Sequence, residues 1–161
     1  MRPFFVPNLA GMRAVIQRAA RAAVHIDGAV HGAIDKGLVV LLGVEPRDTE
    51  ADAEWLAAKV VGMRLFSDDE GKMNLDLAQA GGELLIISQF TLHASYKKGN
   101  RPGFTGAARP DHAIPLYEHF LSACERLTGE LPQRGRFGAD MQVELINDGP
   151  VTLCLDTWNK E

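Results

Sequence analysis

Cysteine is scarce in this chain. Only Cys124 and Cys154 occur in 161 residues, both in apolar surroundings and without CxxC spacing. That argues against a disulfide framework or a thiolate zinc site and predicts two reduced, buried thiols. Metal-binding and nucleotide-binding signatures are lacking too. His25, His31, His93, His112 and His119 are scattered, and there is no HExxH, no GxSxG elbow and no GxxxxGK[ST] loop. No metal and no cofactor are therefore expected. The longest apolar run, residues 38–44, is strand-length and far short of the ~20 residues of a membrane-spanning helix, so no membrane partner is expected. Residues 1–11 carry one charge and two prolines and lack the apolar region of a signal peptide, which points to a cytoplasmic protein. They read as an N-terminal extension or start-site artefact, with the domain itself at 12–161.

An excess of positive charge is also missing. The formal net charge of -4 argues against nucleic-acid binding by bulk electrostatics and against a DNA partner. The charge is nonetheless polarised: Glu45, Asp48, Glu50, Asp52 and Glu54 cluster in one stretch, while Lys97, Lys98, Arg101 and Arg109 lie in another that has no carboxylate until Asp111.

What is present is strand-rich. Residues 14–18, 23–26 and 30–34 read as short strands, the last two joined by the hairpin signal Asp27-Gly28. Residues 37–44 are apolar throughout, as in a strand covered on both faces. Thr49 can cap a helix running to about Arg64, with Ala53, Leu56, Val60 and Met63 on one face. A second strand-length run, 84–87, leads straight into Ser88. A second helix fits 113–128, with Pro115 in its first turn, Ile114, Tyr117, Leu121 and Cys124 on one face and Gly129 as its stop. Residues 143–146 and 151–155 read as strands flanking a turn at Asn147-Asp148-Gly149-Pro150. The pattern predicts a single α+β domain, a mostly antiparallel, curved or barrel-like sheet with two packed helices.

Two segments are candidates for chemistry. Ser88-Gln89-Phe90-Thr91-Leu92 stands where a buried strand emerges, with three hydrogen-bonding side chains and free backbone amides that can meet a developing oxyanion. A polar turn anchored by Phe90 is the plain alternative. Thr91 has no base beside it, and His93, two residues on, does not by spacing alone make a dyad. At Gly149-Pro150, a glycine before proline would leave two adjacent carbonyls open to a ligand; a simple turn is the alternative.

Together with residues 12–18, Lys97-Lys98-Gly99-Asn100-Arg101-Pro102 and Gly135-Arg136-Phe137-Gly138-Ala139-Asp140-Met141, these segments occur in an order that closely resembles the D-aminoacyl-tRNA deacylases, over residue 12 to about 157. The resemblance implies a homodimer with its active site at the subunit interface. A cis Gly149-Pro150 bond, held by Arg18, would project its carbonyls into the partner's pocket and sterically reject L side chains. It implies hydrolysis of the ester of D-aminoacyl-tRNA, and of glycine mischarged on the alanine tRNA. Ser88, Gln89, Phe90 and Thr91 would line the ester carbonyl. Phe137 and Met141 would contact the terminal adenosine, unless they are strand-core packing, and Lys97, Lys98 and Arg101 would meet tRNA phosphates, unless they form a solvated loop. Without a matched base, attack by water with help from the tRNA 2′-hydroxyl is expected over attack by Thr91. His93 and Gly103 depart from the family's usual tyrosine and serine. A non-catalytic dimeric RNA-binding domain and a small-molecule esterase are the alternative functions.

Overall fold

A computed structural model of the chain describes residues 11–161. The expected N-terminal extension lies outside the described residues except for Gly11. Eight strands and two helices follow in order: β1 (Arg13–Ile26), β2 (Ala29–Ile34), β3 (Gly37–Gly43), α1 (Glu50–Gly62), β4 (Phe66–Ser67), β5 (Met73–Leu75), β6 (Glu83–Ser88), α2 (Pro110–Thr128), β7 (Gln133–Arg134) and β8 (Gln142–Asp156). A 3-10 turn, Phe90–His93, follows β6.

The main sheet runs β2-β1-β3-β6-β7, and β8 also pairs with β1. All three partners of β1 are antiparallel, whereas β3–β6 and β6–β7 are parallel. The sheet rolls until its ends approach: a Cβ built on Gly32 of β2 would lie 3.2 Å from the Arg134 carbonyl of β7. This is the expected barrel-like α+β domain. Because side chains alternate across a strand, β3 and β6 serve two cores at once. Leu38, Val40, Leu84 and Ile86 face the helices and pack with Leu56 and Phe120, while Val39, Leu85 and Ile87 face the barrel interior with Ala19, Val24 and Ile34.

The hairpin Asp27-Gly28 forms as its chemistry dictates, with φ of +52° and +78°, the signature of a primed turn. At the start of α1 the Asp52 carboxylate accepts the Thr49 backbone N–H at 2.8 Å and the Thr49 hydroxyl at 3.1 Å.

Four expectations need correction. β1 is one strand of 14 residues, not two, bent where its pairing with β8 shifts register around Ala19. Residues 147–150 do not reverse the chain: Gln17 faces Thr152 and Ala19 faces Asn147, so residues 148–151 bulge out opposite Arg18 within the single strand β8. The Asn-Asp-Gly-Pro signal serves a bulge as well as a turn. α2 begins at Pro110, whose preset φ suits a first helical position, which moves Pro115 into the second turn. Ile114 is consequently exposed, and the buried stripe is Ala113, Leu116, Tyr117, Phe120, Leu121 and Cys124. Finally, Cys124 is buried but Cys154 is exposed, because it lies on β8, where no side chain is fully buried.

The β3–α1 connection buries two carboxylates. Asp48 is 2% exposed; its Oδ2 accepts the Glu45 N–H at 2.7 Å and its Oδ1 has no partner among the described residues. Burial, reinforced by the Glu45 and Asp52 charges, outweighs the Glu45 backbone hydrogen bond and pushes the carboxyl up to about 7. A folded-state value above the unfolded one stabilises fully below the unfolded value, and that stabilisation is lost as pH rises through 7. A rise of roughly three units corresponds to at most about 4 kcal/mol. Asp48→Asn should therefore gain melting temperature over wild type progressively between pH 4.5 and pH 8; a difference that does not vary with pH would refute the assignment.

Candidate active site

β6 is buried from Leu84 to Ile87 and reaches the surface at Ser88, paired with Leu42 of β3. Gln89 leaves the strand, with φ -146° and ψ 81°, although its N–H still donates to the Leu42 carbonyl at 2.7 Å. The chain then winds into the 3-10 turn, in which the Leu92 N–H donates to the Gln89 carbonyl at 3.2 Å and the Ala94 N–H to the Thr91 carbonyl at 3.2 Å. The amides of Phe90 and Thr91 open the turn and have no partner within it, so they are available as donors. Gln89 Nε2 donates to Thr91 Oγ1, fixing the hydroxyl.

His93 does not complete a dyad. It is 5% exposed, its ring packs on Gly43, and among the described residues it makes no hydrogen bond to Thr91. Burial lowers its pKa, with the Arg13 charge acting in the same sense, which keeps the imidazole neutral.

Beside this segment a crevice between β6 and α2 is lined by Ser88, Gln89, Phe90, Tyr117 and Phe137. Phe137 lies against Tyr117, with ring centroids 6.0 Å apart, and the exposed Phe90 meets Phe104 edge to face at 5.2 Å. The Tyr117 hydroxyl donates to the Ile86 carbonyl at 3.1 Å and pins α2 to the end of β6. Phe137 thus adjoins residues 88–90. Met141 packs beside Gly135 and against the cluster that includes Leu85 and Ile87. Lys97, Lys98 and Arg101 are exposed in a loop whose neck is closed by paired backbone bonds between Ser95 and Gly103, at 2.7 and 2.8 Å.

The second candidate segment lies elsewhere. Gly149-Pro150 is cis and exposed at the tip of the β8 bulge. Arg18 Nε donates to the Asp148 carbonyl at 3.0 Å and its Nη1 to the Leu65 carbonyl at 2.7 Å. Asn147 straps the base of the bulge: its Oδ1 accepts the Val151 N–H at 3.1 Å and its Nδ2 donates to Thr152 Oγ1 at 3.0 Å. Gly149 has φ +134°, and an added Cβ would fall 2.8 Å from Val151 Cγ2. The bulge sits at the level of Arg18, whereas the 3-10 turn is bonded to Arg13, five positions along β1. At about 3.4 Å per residue that is roughly 17 Å. One chain does not bring its two candidate segments together.

Sequence reasoning missed Arg13, Phe104, Tyr117 and Asp156 as neighbours of the site. Tyr117 reads as one more apolar position of a helix, Arg13 and Phe104 reach Leu92 and Phe90 only through long-range contacts, and Asp156 joins them by way of Arg13.

Residues 15–156 match the family described as D-Tyr-tRNA(Tyr) deacylase. A D-aminoacyl-tRNA deacylase of Cytophaga hutchinsonii is 57% identical over 150 residues, 93% of this chain and 100% of that protein, and one of Akkermansia muciniphila is 55% identical over the same shares. A solved structure described as "c-Myc DNA Unwinding Element Binding Protein" is 39% identical with a TM-score of 0.84, covering 89% of this chain and 97% of that one. Another, described as a "probable eukaryotic D-amino acid tRNA deacylase", has a TM-score of 0.77 at 16% identity over 90% of this chain and 98% of that one, which shows the shared fold. This chain belongs to the D-Tyr-tRNA(Tyr) deacylase family.

Proposed function

We propose that this protein hydrolyses the ester that joins a D-amino acid to tRNA and spares the L enantiomer. The observation that carries the reading is the division of the site. A turn with donor amides adjoins an aromatic crevice, and a strapped Gly149-Pro150 bulge projects from the same chain at a level five residues, roughly 17 Å, further along β1. A second copy that inserts its bulge beside residues 88–91 completes the pocket, so the active unit is a homodimer. Its carbonyls then stand next to the substrate's α-carbon, where hydrogen fits and an L side chain does not. Glycine on tRNA passes the same filter.

In this arrangement the ester carbonyl lies over the turn, and the Phe90 and Thr91 amides stabilise the oxyanion that forms on attack. Thr91, held by Gln89, has no carboxylate or imidazole hydrogen-bonded to it as base among the described residues, so the nucleophile is water, assisted by the tRNA 2′-hydroxyl. Phe137 contacts the terminal adenosine. Lys97, Lys98 and Arg101 meet phosphates, a local interaction compatible with a chain of net charge -4. No helix among the described residues is long and apolar enough to cross a membrane, and we place the protein with its tRNA substrates in the cytoplasm.

A second reading, nucleic-acid binding without catalysis, draws support from the exposed cations of the 97–101 loop and from the description of the 39% identical structure as a DNA-unwinding-element binding protein. Paired hydrolysis assays separate the two. D-tyrosyl-tRNA should be deacylated rapidly and L-tyrosyl-tRNA left charged; equal loss of both would sink the stereochemical filter, and binding without loss of either would favour the second reading.

Thr91→Ala should retain measurable turnover, and a trapped acyl-enzyme on Thr91 would refute that. Gly149→Val forces a side chain into backbone space that costs about 1–3 kcal/mol and crowds Val151. It should lower D-aminoacyl-tRNA hydrolysis by more than about 100-fold in protein that remains folded. Wild-type protein that is monomeric by sedimentation and fully active would overturn the shared site.

A further inference from the structure

We infer that Arg13 is a positioning residue for the reaction, holding the 3-10 turn that carries Thr91 in register with the end of β8. The inference rests on the hydrolytic reading of residues 88–92 given above.

Arg13 opens β1, paired with Gly43 on one side and Asp156 on the other. Its guanidinium is forked. Nε donates to Asp156 Oδ2 at 3.0 Å, and Nη1 donates to the Leu92 carbonyl at 2.8 Å. The second bond lands inside the 3-10 turn, on the residue after Thr91. A carbonyl at that end of a turn points away from the donor amides at its start, so fixing the Leu92 peptide also fixes the direction of the Phe90 and Thr91 N–H groups. A planar fork with fixed donors performs this double task; a lysine ammonium is a single point and does so less well.

The other arm of the fork is anchored as firmly. Asp156 Oδ1 accepts the Gly11 N–H at 2.9 Å and the Trp158 N–H at 2.8 Å, and its side chain is 13% exposed. Burial alone would raise its pKa, but the bonds from Trp158, Gly11 and Arg13 outweigh burial and hold it below the ordinary carboxylate range. The carboxylate therefore stays charged at neutral pH and keeps Arg13 in place. β8 is also the strand that carries the Gly149-Pro150 bulge. The Asp156–Arg13–Leu92 chain thus ties the end of that strand to the turn with the reacting amides.

The alternative role for a partly exposed arginine is a direct phosphate contact, and the two roles separate kinetically. On D-aminoacyl-tRNA, Arg13→Ala should lower kcat roughly 10- to 100-fold, the scale of a small misplacement of catalytic groups, with KM within about twofold of wild type. Arg13→Lys should recover only part of that loss, and Asp156→Asn should show a milder loss of kcat. Hydrogen exchange across residues 90–94 should accelerate in Arg13→Ala while the β6 amides stay protected. A raised KM with unchanged kcat would overturn the inference in favour of a phosphate contact, as would unchanged kcat in all three folded variants. If Arg13→Ala fails to fold, Asp156→Asn decides by the same split. Wild-type protein inactive on D-aminoacyl-tRNA would instead refute the hydrolytic reading itself, and this inference with it.

Discussion

Everything in this fold that concerns the site depends on β1 giving both of its edges to other strands. Its first half pairs with β3 on one side and β8 on the other, which aligns Gly43, Arg13 and Asp156 in one row across the sheet. β3 then aligns β6 in parallel, so Ser88 emerges beside Leu42 near the same end. Further along, the β1–β8 ladder cannot stay in step, because β8 advances from Asn147 to Thr152 while β1 advances only from Ala19 back to Gln17. The surplus residues have nowhere to pair, and they become the bulge that displays Gly149-Pro150. Strand register thus sets the separation between the two candidate segments without any dedicated loop.

Electrostatics act locally. The acidic balance of the whole chain coexists with exposed cations at 97–101, while buried charge is confined to places where backbone groups or a partner accept it. Glu45 pairs with Arg47, and Asp156 with Arg13. Asp48, with one oxygen lacking a partner, is the exception, and its carboxyl is raised accordingly.

Features with a short-range cause were legible in the residues. The Asp27-Gly28 hairpin, the doubly covered run at 37–43, Thr49 before α1 and the emergence of Ser88 each follow from neighbouring side chains, and the structure realises them. Features decided by distant partners were not. The unbroken β1 needs β8 alongside it, since Ala19 and Ala20 carry no strong strand preference of their own. Asn147 to Pro150 spell a turn unless both flanks find the same neighbour, which is what happens. The two-residue strands β4 and β7 are too short to leave any periodicity. For the candidate site, Ser88 to Thr91 and Gly149-Pro150 were singled out by residue type and family pattern, but their separation within one chain, and the links through Arg13, Tyr117 and Phe104, are products of packing.

The β8 bulge also bears on how the protein remains itself at high concentration. Among the described residues β8 pairs only with β1, which leaves the other edge of a 15-residue strand open. A straight open edge of that length would be a template onto which any extended chain could zip. Here the edge is cut in the middle by a protruding glycine and a proline that has no N–H to donate. What remains are two short ledges at different levels, too brief for indiscriminate strand addition. The glycine and proline that form the bulge thus make this edge a poor seed for fibrils.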